Sequence, residues 1–249
     1  MGSGSALLRV GRVPQWHDDP VLIESVVADY FGTNCWIIAP SKNSECFIVD
    51  PGITPPSILG RVKEITNKYN LKPIATILTH GHLDHTFSVR PIAQGYEIPA
   101  MIHSRDRTLL SHPMKALLPG GPAQQIMQQL GVTEFVEPQE VIELNGNENL
   151  TIAGLPIEVR HAPGHTAGSA VFVVNSEYLL SGDVLFDGSI GRTDLPTGSA
   201  QEMRKTLRTQ ILTLPDELIV LPGHGGQTTI ARERKKNPYL TDEFLDSRE

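Results

Sequence analysis

The chain has 249 residues, of which 39% are hydrophobic and 20% charged, and a formal net charge of -7. This length can bury the core of one domain without disulfides, and an acidic chain with no basic stripe argues against nucleic-acid partners and ribonuclease activity. No apolar run approaches the roughly 20 residues that cross a bilayer, so we expect no membrane contact.

Residues 1–20 are expected to be an N-terminal extension, whose first five residues, rich in Gly and Ser, are either native or tag-derived. Residues 21–249 are expected to form a single domain. No secretory segment precedes Cys35 and Cys46, which favours a cytoplasmic setting with both thiols in the core. The oligomeric state stays open, with a homodimer as one alternative.

Short runs rich in Val and Ile predict buried strands, and 3.6-residue periodicity predicts helices between them. The predicted strands are residues 21–27, 35–39, 46–49, 74–78, 98–102, 157–160, 170–174, 178–180 and 218–221. The predicted helices are residues 58–69, 86–90, 123–130 and 200–212. This order predicts an α/β fold of two similar halves, with two sheets between outer helices. Residues 104–150 are the longest excursion between strands, and either a surface connection or a lid would explain them.

Four potential metal ligands follow the predicted strand 74–78 within six positions: His80, His82, Asp84 and His85. Neither a helix nor a strand can direct all four to one side, so the segment is expected to be a loop at the end of the strand. His80 and His82 can converge on one cation while Asp84 and His85 converge on a second.

Three more donors, His165, Asp183 and His224, each follow a predicted strand and a turn that contains glycine. An α/β scaffold presents ligands in this way at one edge of its sheets. We therefore expect two metal ions, held by the following donors: His80, His82 and His165 for the first, Asp84, His85 and His224 for the second, and Asp183 as a bridge. Such a pair lowers the pKa of a bound water and stabilises an oxyanion, which is chemistry for hydrolysing an ester-like bond.

These seven residues, in this order and in these strand-end contexts, resemble the metallo-β-lactamase superfamily. The segments Asp50-Pro51-Gly52, Pro163-Gly164-His165 and Leu221-Pro222-Gly223-His224-Gly225 are similar to its glyoxalase II-like (hydroxyacylglutathione hydrolase-like) branch. The resemblance implies the four-layered αββα sandwich and hydrolysis of small thioesters to an acid and a thiol. It also implies two divalent metals, zinc first, with iron or manganese as alternatives, and catalytic roles for Asp84 and Asp183.

The chain departs from that branch where a thiol would be recognised. Only 25 residues follow His224, so we expect the C-terminal helical domain of glyoxalase II enzymes to be lacking. Arg192, in Gly191-Arg192-Thr193-Asp194, is predicted to bind a substrate anion, with an ion pair to Asp194 as the alternative. Asp50 is expected either to orient a ligand from outside the metal shell or simply to begin a turn.

Other reactions fit part of the same pattern. Persulfide dioxygenases share the fold and the Gly-Arg-Thr-Asp segment, and would use one iron on His80, His165 and Asp183. The long excursion 104–150 and the Pro-Gly-His-Gly turn at His224 favour hydrolysis. Lactone or β-lactam opening needs the same nucleophile in a different pocket, and a binding module without catalysis would make little use of seven donors.

Overall fold

Two six-stranded sheets lie face to face in the computed structural model, which describes residues 20–247. Helices pack on the outer face of each sheet, so the layers run α, β, β, α. The predicted α/β sandwich is therefore confirmed. Of the predicted N-terminal extension, all but Pro20 lies outside the described residues.

The first sheet contains the N-terminal half of the chain, in the spatial order β1 to β6. β1 to β3 are antiparallel, and β3 to β6 are parallel. The strands are β1 (Leu22–Val27), β2 (Asn34–Ala39), β3 (Glu45–Val49), β4 (Lys72–Ile77), β5 (Ala100–His103) and β6 (Val141–Leu144).

The second sheet contains the C-terminal half, in the spatial order β12 to β7. Its strands are β7 (Asn149–Ile152), β8 (Leu155–His161), β9 (Ala170–Val174), β10 (Tyr178–Gly182), β11 (Ile219–Pro222) and β12 (Thr228–Thr229). β8 and β10 are each antiparallel to β9, and β11 is parallel to β10. The carboxyl ends of β8, β10 and β11 therefore point to one edge of this sheet.

Within residues 20–247, seven α-helices connect and cover the sheets: α1 (Leu59–Tyr69), α2 (Leu83–Thr86), α3 (Val89–Tyr96), α4 (Pro122–Gln129), α5 (Ala200–Thr206), α6 (Ile230–Lys236) and α7 (Asp242–Asp246). The same residues contain three short 3₁₀ turns, at Arg107–Leu110, Pro113–Ala116 and Pro238–Leu240. No helix in the described part of the chain is long and apolar enough to cross a membrane.

The main core fills the space between the sheets, where Phe47 of the first sheet and Phe172 of the second are fully buried. Trp36, in the same core, donates a hydrogen bond from Nε1 to the carbonyl of Pro222 (3.0 Å). Because Pro222 ends β11, this bond links the two sheets close to the edge where the predicted ligands follow their strands.

Some predicted elements were wrong. Residues 141–144 and 149–152 are strands β6 and β7, which the sequence did not reveal because they are four residues long and partly exposed. The helix predicted over 200–212 is α-helical only to Thr206 and continues as a π-helical turn, Leu207–Ile211. The helix predicted over 86–90 is replaced by α2 and α3, on either side of Phe87 and Ser88.

Candidate metal centre

The segment that joins β4 to α3 carries four of the predicted ligands. His82 is the N-cap of α2, and its carbonyl accepts hydrogen bonds from the backbone N–H groups of His85 (3.0 Å) and Thr86 (3.1 Å). Asp84 and His85 lie in the single turn of α2 that follows. His80, His82 and His85 are all buried, so this loop directs three imidazoles into the protein.

The remaining three donors follow β8, β10 and β11, whose carboxyl ends share one edge. His165 lies four residues beyond the end of β8, Asp183 directly follows β10, and His224 lies two residues beyond β11. Gly223 is needed for this approach, because a Cβ at this position would overlap Asp183 Oδ1 and would lie 2.7 Å from His85 Cε1. The glycines beside these donors therefore serve close packing as well as turning.

The structure brings all seven predicted residues together as overlapping groups of donor atoms. His80, His82 and His165 form one group, the first triad, and Asp84, His85 and His224 form another, the second triad. The donor atoms of each triad lie within 4.8 Å of one another. Within the first group His82 Nδ1 lies 2.8 Å from His165 Nε2. Within the second, His224 Nε2 lies 3.3 Å from Asp84 Oδ2.

Asp183 lies between the two groups. Its Oδ1 is 3.3 Å from His85 Nε2, and its Oδ2 is 3.4 Å from both His165 Nε2 and His224 Nε2. A third cluster within the same distance limit joins Asp183 to His80 and His85. One carboxylate thus touches members of both triads, which is the placement expected of a bridging ligand.

Four of the imidazoles are fixed by a hydrogen bond at the nitrogen that faces away from the cluster. Nδ1 of each ring has one protein partner: Thr79 Oγ1 for His80 (3.0 Å), Asp50 Oδ2 for His85 (3.0 Å), the Arg192 carbonyl for His165 (2.8 Å) and the Phe31 carbonyl for His224 (3.0 Å). Where Nδ1–H donates, Nε2 is left to bind a metal, and the ring orientation is set in advance.

The donor set fits metal ions on a direct structural criterion. His80 Nε2, His82 Nε2 and Asp183 Oδ1 are buried and have no hydrogen-bond partner among the described residues. Unpartnered buried polar atoms are costly, and a metal ion would satisfy His80 Nε2 and Asp183 Oδ1 in particular. Imidazole and carboxylate ligands suit zinc, iron and manganese.

The electrostatics of the cluster separate its members. Burial, and then the neighbouring His165, lower the pKa of His82 to about 3. Burial would also lower the pKa of His224, but its hydrogen bonds to Asp183 and Asp84 outweigh that effect and raise the pKa to about 9. Burial opposes ionisation of Asp183, yet the charge of His85 and the hydrogen bond to His224 hold the pKa of this carboxyl well below its usual range.

We therefore expect metal binding to release at least one proton per chain at pH 7. With a pKa of about 9, His224 is protonated at neutral pH in metal-free protein, whereas a ligand imidazole must be neutral. Because His224 must lose its proton to bind, affinity for the second metal should increase as the pH rises towards about 9 and level off above that value. Calorimetric titration of chelator-treated protein in two buffers of different ionisation enthalpy measures the release. The same apparent binding enthalpy in both buffers would mean that no proton is released and would contradict this prediction. His224→Ala should reduce the number of protons released.

Asp50 supports the ligand-bearing segment between β4 and α3 through Thr79 and His85. Its Oδ1 accepts the backbone N–H of Thr79 (2.8 Å), and its Oδ2 accepts Thr79 Oγ1 (2.6 Å) and faces His85 Nδ1 (3.0 Å). Of the two expectations for Asp50, the structure therefore supports a role in orienting a ligand.

Asp106 was missed by the sequence reasoning. It follows β5, is fully buried and accepts three hydrogen bonds: from the Gly81 N–H (2.8 Å), Thr166 Oγ1 (2.6 Å) and the Gly168 N–H (2.7 Å). Gly81 lies between two ligands of the first triad, and Thr166 follows the third. Its position after a strand was the only signal in the sequence, and neither a histidine nor a glycine turn accompanies it.

A pocket of about 410 Å³ opens onto the metal centre and is lined by His82, Asp84, His165, Asp183 and His224. Its other walls are mostly apolar, with Phe31, Leu117, Leu118, Phe186 and Leu195. Residues 117–118 and 121–124 belong to the long excursion, which therefore supplies one wall of the pocket. A separate polar groove of about 520 Å³, beside the 145–147 turn and α5, contains none of the seven donors.

Arg192 lines the same pocket, and its guanidinium pairs with Asp194. Nε lies 2.7 Å from Oδ1 and the second contact is also 2.7 Å, which makes the pair bidentate. Both side chains are more than half exposed. The ion pair considered as an alternative is therefore present, and the guanidinium still borders the space in front of the metal centre.

Comparison with known proteins places these features in a family. Residues 28–224 match the model of the metallo-β-lactamase superfamily. Hydroxyacylglutathione hydrolase GloC of Haemophilus influenzae is 34% identical over 221 residues, which cover 88% of this chain and 97% of that protein. The crystal structure of the BLEG-1 B3 metallo-β-lactamase matches with a TM-score of 0.74 and 32% identity, over 88% of this chain and all of that one. A structure solved in a di-iron-bound form matches with a TM-score of 0.71 and 28% identity, over 87% and 100% of the two chains.

Proposed function

The chain belongs to the metallo-β-lactamase superfamily and is a metallo-hydrolase with a histidine-rich metal site, and from that premise we propose that it hydrolyses small thioesters to an acid and a thiol. The observation that supports a binuclear site most strongly is the contact of Asp183 with both triads. The hydroxyacylglutathione hydrolase activity named for the Haemophilus relative supports the thioester class.

Two bound divalent ions would supply a nucleophilic hydroxide at neutral pH and polarise the substrate carbonyl. Asp183 holds the two donor groups at a fixed separation through its contacts of 3.3 to 3.4 Å with His85, His165 and His224. Asp84 lines the pocket with its side chain 20% exposed, so its carboxylate is placed to orient the attacking water. The leaving thiol has a pKa near 8.5, so it departs as a thiolate without a strong acid beside it.

Zinc is our first choice of metal because it activates water at neutral pH without redox chemistry. The relative solved with two irons supports iron as the second choice, and manganese is the third.

We also propose a cytoplasmic location, supported by two free cysteines, Cys35 and Cys46, on neighbouring strands. Burial raises the pKa of both thiols, that of Cys46 to about 12, so neither is poised for redox chemistry.

The test combines metal analysis with a substrate panel on the full chain. We expect two metal ions per chain and release of thiol from S-lactoylglutathione or another thioester of the panel, with loss of activity on chelation and recovery on adding metal. A single iron with oxygen uptake on glutathione persulfide would replace the proposal with a dioxygenase. Turnover of lactones or β-lactams alone would keep the site and change the substrate class.

Arg192 is proposed to bind an anionic group of the substrate. Arg192→Ala should raise KM for an anionic thioester, such as S-succinyl-N-acetylcysteamine, by about tenfold, since charge-assisted bidentate bonds are among the stronger ones. Asp194→Asn frees the guanidinium and should lower the same KM by about two- to fourfold, because the exposed pair is weak. Arg208→Ala removes a distant exposed arginine, paired with Asp246, and serves as the control. An unchanged KM in Arg192→Ala would remove the anchor from the proposal.

A further inference from the structure

We propose that the substrate carries an apolar chain beside its thioester carbonyl, and that this chain packs against Phe31 and Leu118 at the mouth of the pocket. The inference rests on the proposed thioester hydrolysis and names a substrate class within it. Phe31 and Leu118, which are not among the predicted ligands, would then determine which substrates fit.

The apolar wall is continuous with the metal centre. Phe31 and Leu118 line the pocket, yet each is 45% exposed. Phe186 also lines the pocket, with its ring centroid 6.0 Å from that of His224. Large apolar side chains that stay exposed around a cavity usually mark a binding surface. A chain attached to a carbonyl at the metals would cover this wall without leaving the pocket.

Phe31 is held in place at a cost in backbone conformation. Its φ is 61°, a left-handed value that is unusual for a bulky residue, and Gly32 follows with φ 67°. The carbonyl of Phe31 accepts the hydrogen bond from His224 Nδ1 (3.0 Å), and Thr33 forms a β-bridge with His224. The loop between β1 and β2 is thus fastened to a metal ligand. Backbone strain persists where the surrounding structure fixes it, and here the fixed backbone places the Phe31 side chain in the pocket lining.

The charge and size of the pocket point to the same class of substrate. Among the described lining residues Arg192 is the only arginine or lysine, so the pocket offers a single site for an anionic group of the substrate. Most of the remaining lining apart from the metal donors is aliphatic, aromatic or glycine. A volume of about 410 Å³ is in the range of small-molecule sites. The complementary partner is a short alkyl or aryl chain.

The test measures kcat/KM of the metal-loaded full chain on two series of thioesters. One series lengthens the acyl group on N-acetylcysteamine from acetyl to butanoyl and hexanoyl. The other keeps acetyl and lengthens an alkyl thiol in the same steps, so the two arms distinguish which side of the carbonyl carries the chain. In one arm or the other, kcat/KM should rise by about three- to fourfold for each added methylene until the wall is covered.

Variants test whether Phe31 and Leu118 read the chain. Phe31→Asn removes the ring while keeping a residue that adopts positive φ readily, so the acceptor carbonyl for His224 is retained. The ratio of kcat/KM for the longest and shortest members should fall by about tenfold in Phe31→Asn and in Leu118→Ala, and Phe31→Leu should restore most of it. Val136→Ala, which removes an exposed side chain outside the pocket lining, should leave the ratio unchanged.

A length dependence that is flat in both series, or a ratio that survives Phe31→Asn, would overturn the inference. Failure of the proposed function is recognised separately, as no hydrolysis of any thioester. In that case calorimetric binding of hexanoate against acetate to the metal-loaded protein still tests the wall. Tighter binding of hexanoate, lost in Phe31→Asn, supports it, and equal binding of the two acids overturns it.

Discussion

Asp183→Ala is expected to lower kcat/KM by on the order of 10³-fold, or about 4 kcal/mol of transition-state stabilisation. The carboxylate lies within 3.4 Å of donors from both triads, so its loss separates the two halves of the site. It also leaves His85 and His224 without the charge that holds them close. Steady-state kinetics with metal analysis of the same preparation would show bound metal falling from two ions to one or none.

The matched control is Asp187→Ala, four residues along the same segment. Asp187 is exposed and forms an ion pair with Arg232 (2.9 Å), so its removal should change stability by less than about 1 kcal/mol and activity by less than about twofold. An Asp183→Ala protein that keeps two metals and full turnover would be incompatible with a bridging role.

Asp106→Ala is expected to lower the free energy of unfolding by about 3–5 kcal/mol, because it strands two backbone N–H groups and a hydroxyl that donate to a buried carboxylate. The melting temperature should fall by about 10 °C. Because its partners flank His80, His82 and His165, the dissociation constant of the first metal should rise by about 10- to 100-fold, with the second much less affected.

Metal competition titrations followed by thermal unfolding would separate these effects. Asp106→Asn, which keeps one acceptor oxygen, should fall between the wild type and the alanine variant in both measurements. Asp216→Ala removes an exposed partner of Arg234 (2.8 Å) and controls for loss of a carboxylate. If Asp106→Ala melts early but binds both metals normally, the residue supports the fold alone.

The seven donors could be found from the sequence because each is a histidine or aspartate in the loop or turn that follows an apolar strand, and strand ends meet at an edge. Spacing separated His80 and His82 from Asp84 and His85, and two of the donor clusters in the structure keep these pairs apart while a third joins His80 to His85. Asp106 could not be found, since its role depends on three partners that approach it only in the folded chain. The contact of Phe31 with His224 could not be predicted for a different reason. It is made by a backbone carbonyl, which every residue possesses.

The outer architecture was harder to predict than the site. β6 and β7 are short strands with exposed positions, so their hydrophobic signal is weak in a segment already interrupted by Pro113, Pro119 and Pro122. The pairing of Arg192 with Asp194 was foreseen only as an alternative, because sequence proximity does not fix side-chain direction. Buried strands impose a strong pattern on sequence, whereas exposed pairs and half-buried edges impose little.

The ligands are divided between the sheets: His80, His82, Asp84 and His85 follow β4 of the first, while His165, Asp183 and His224 follow strands of the second. Each metal ion would thus cross-link the two halves of the molecule, and the unfolded chain has no equivalent site. Free metal at 100 times its dissociation constant would add about 2.7 kcal/mol to stability. The lifetime of this protein in a cell should then depend on the metal supply, because molecules without bound metal unfold more readily and are degraded first.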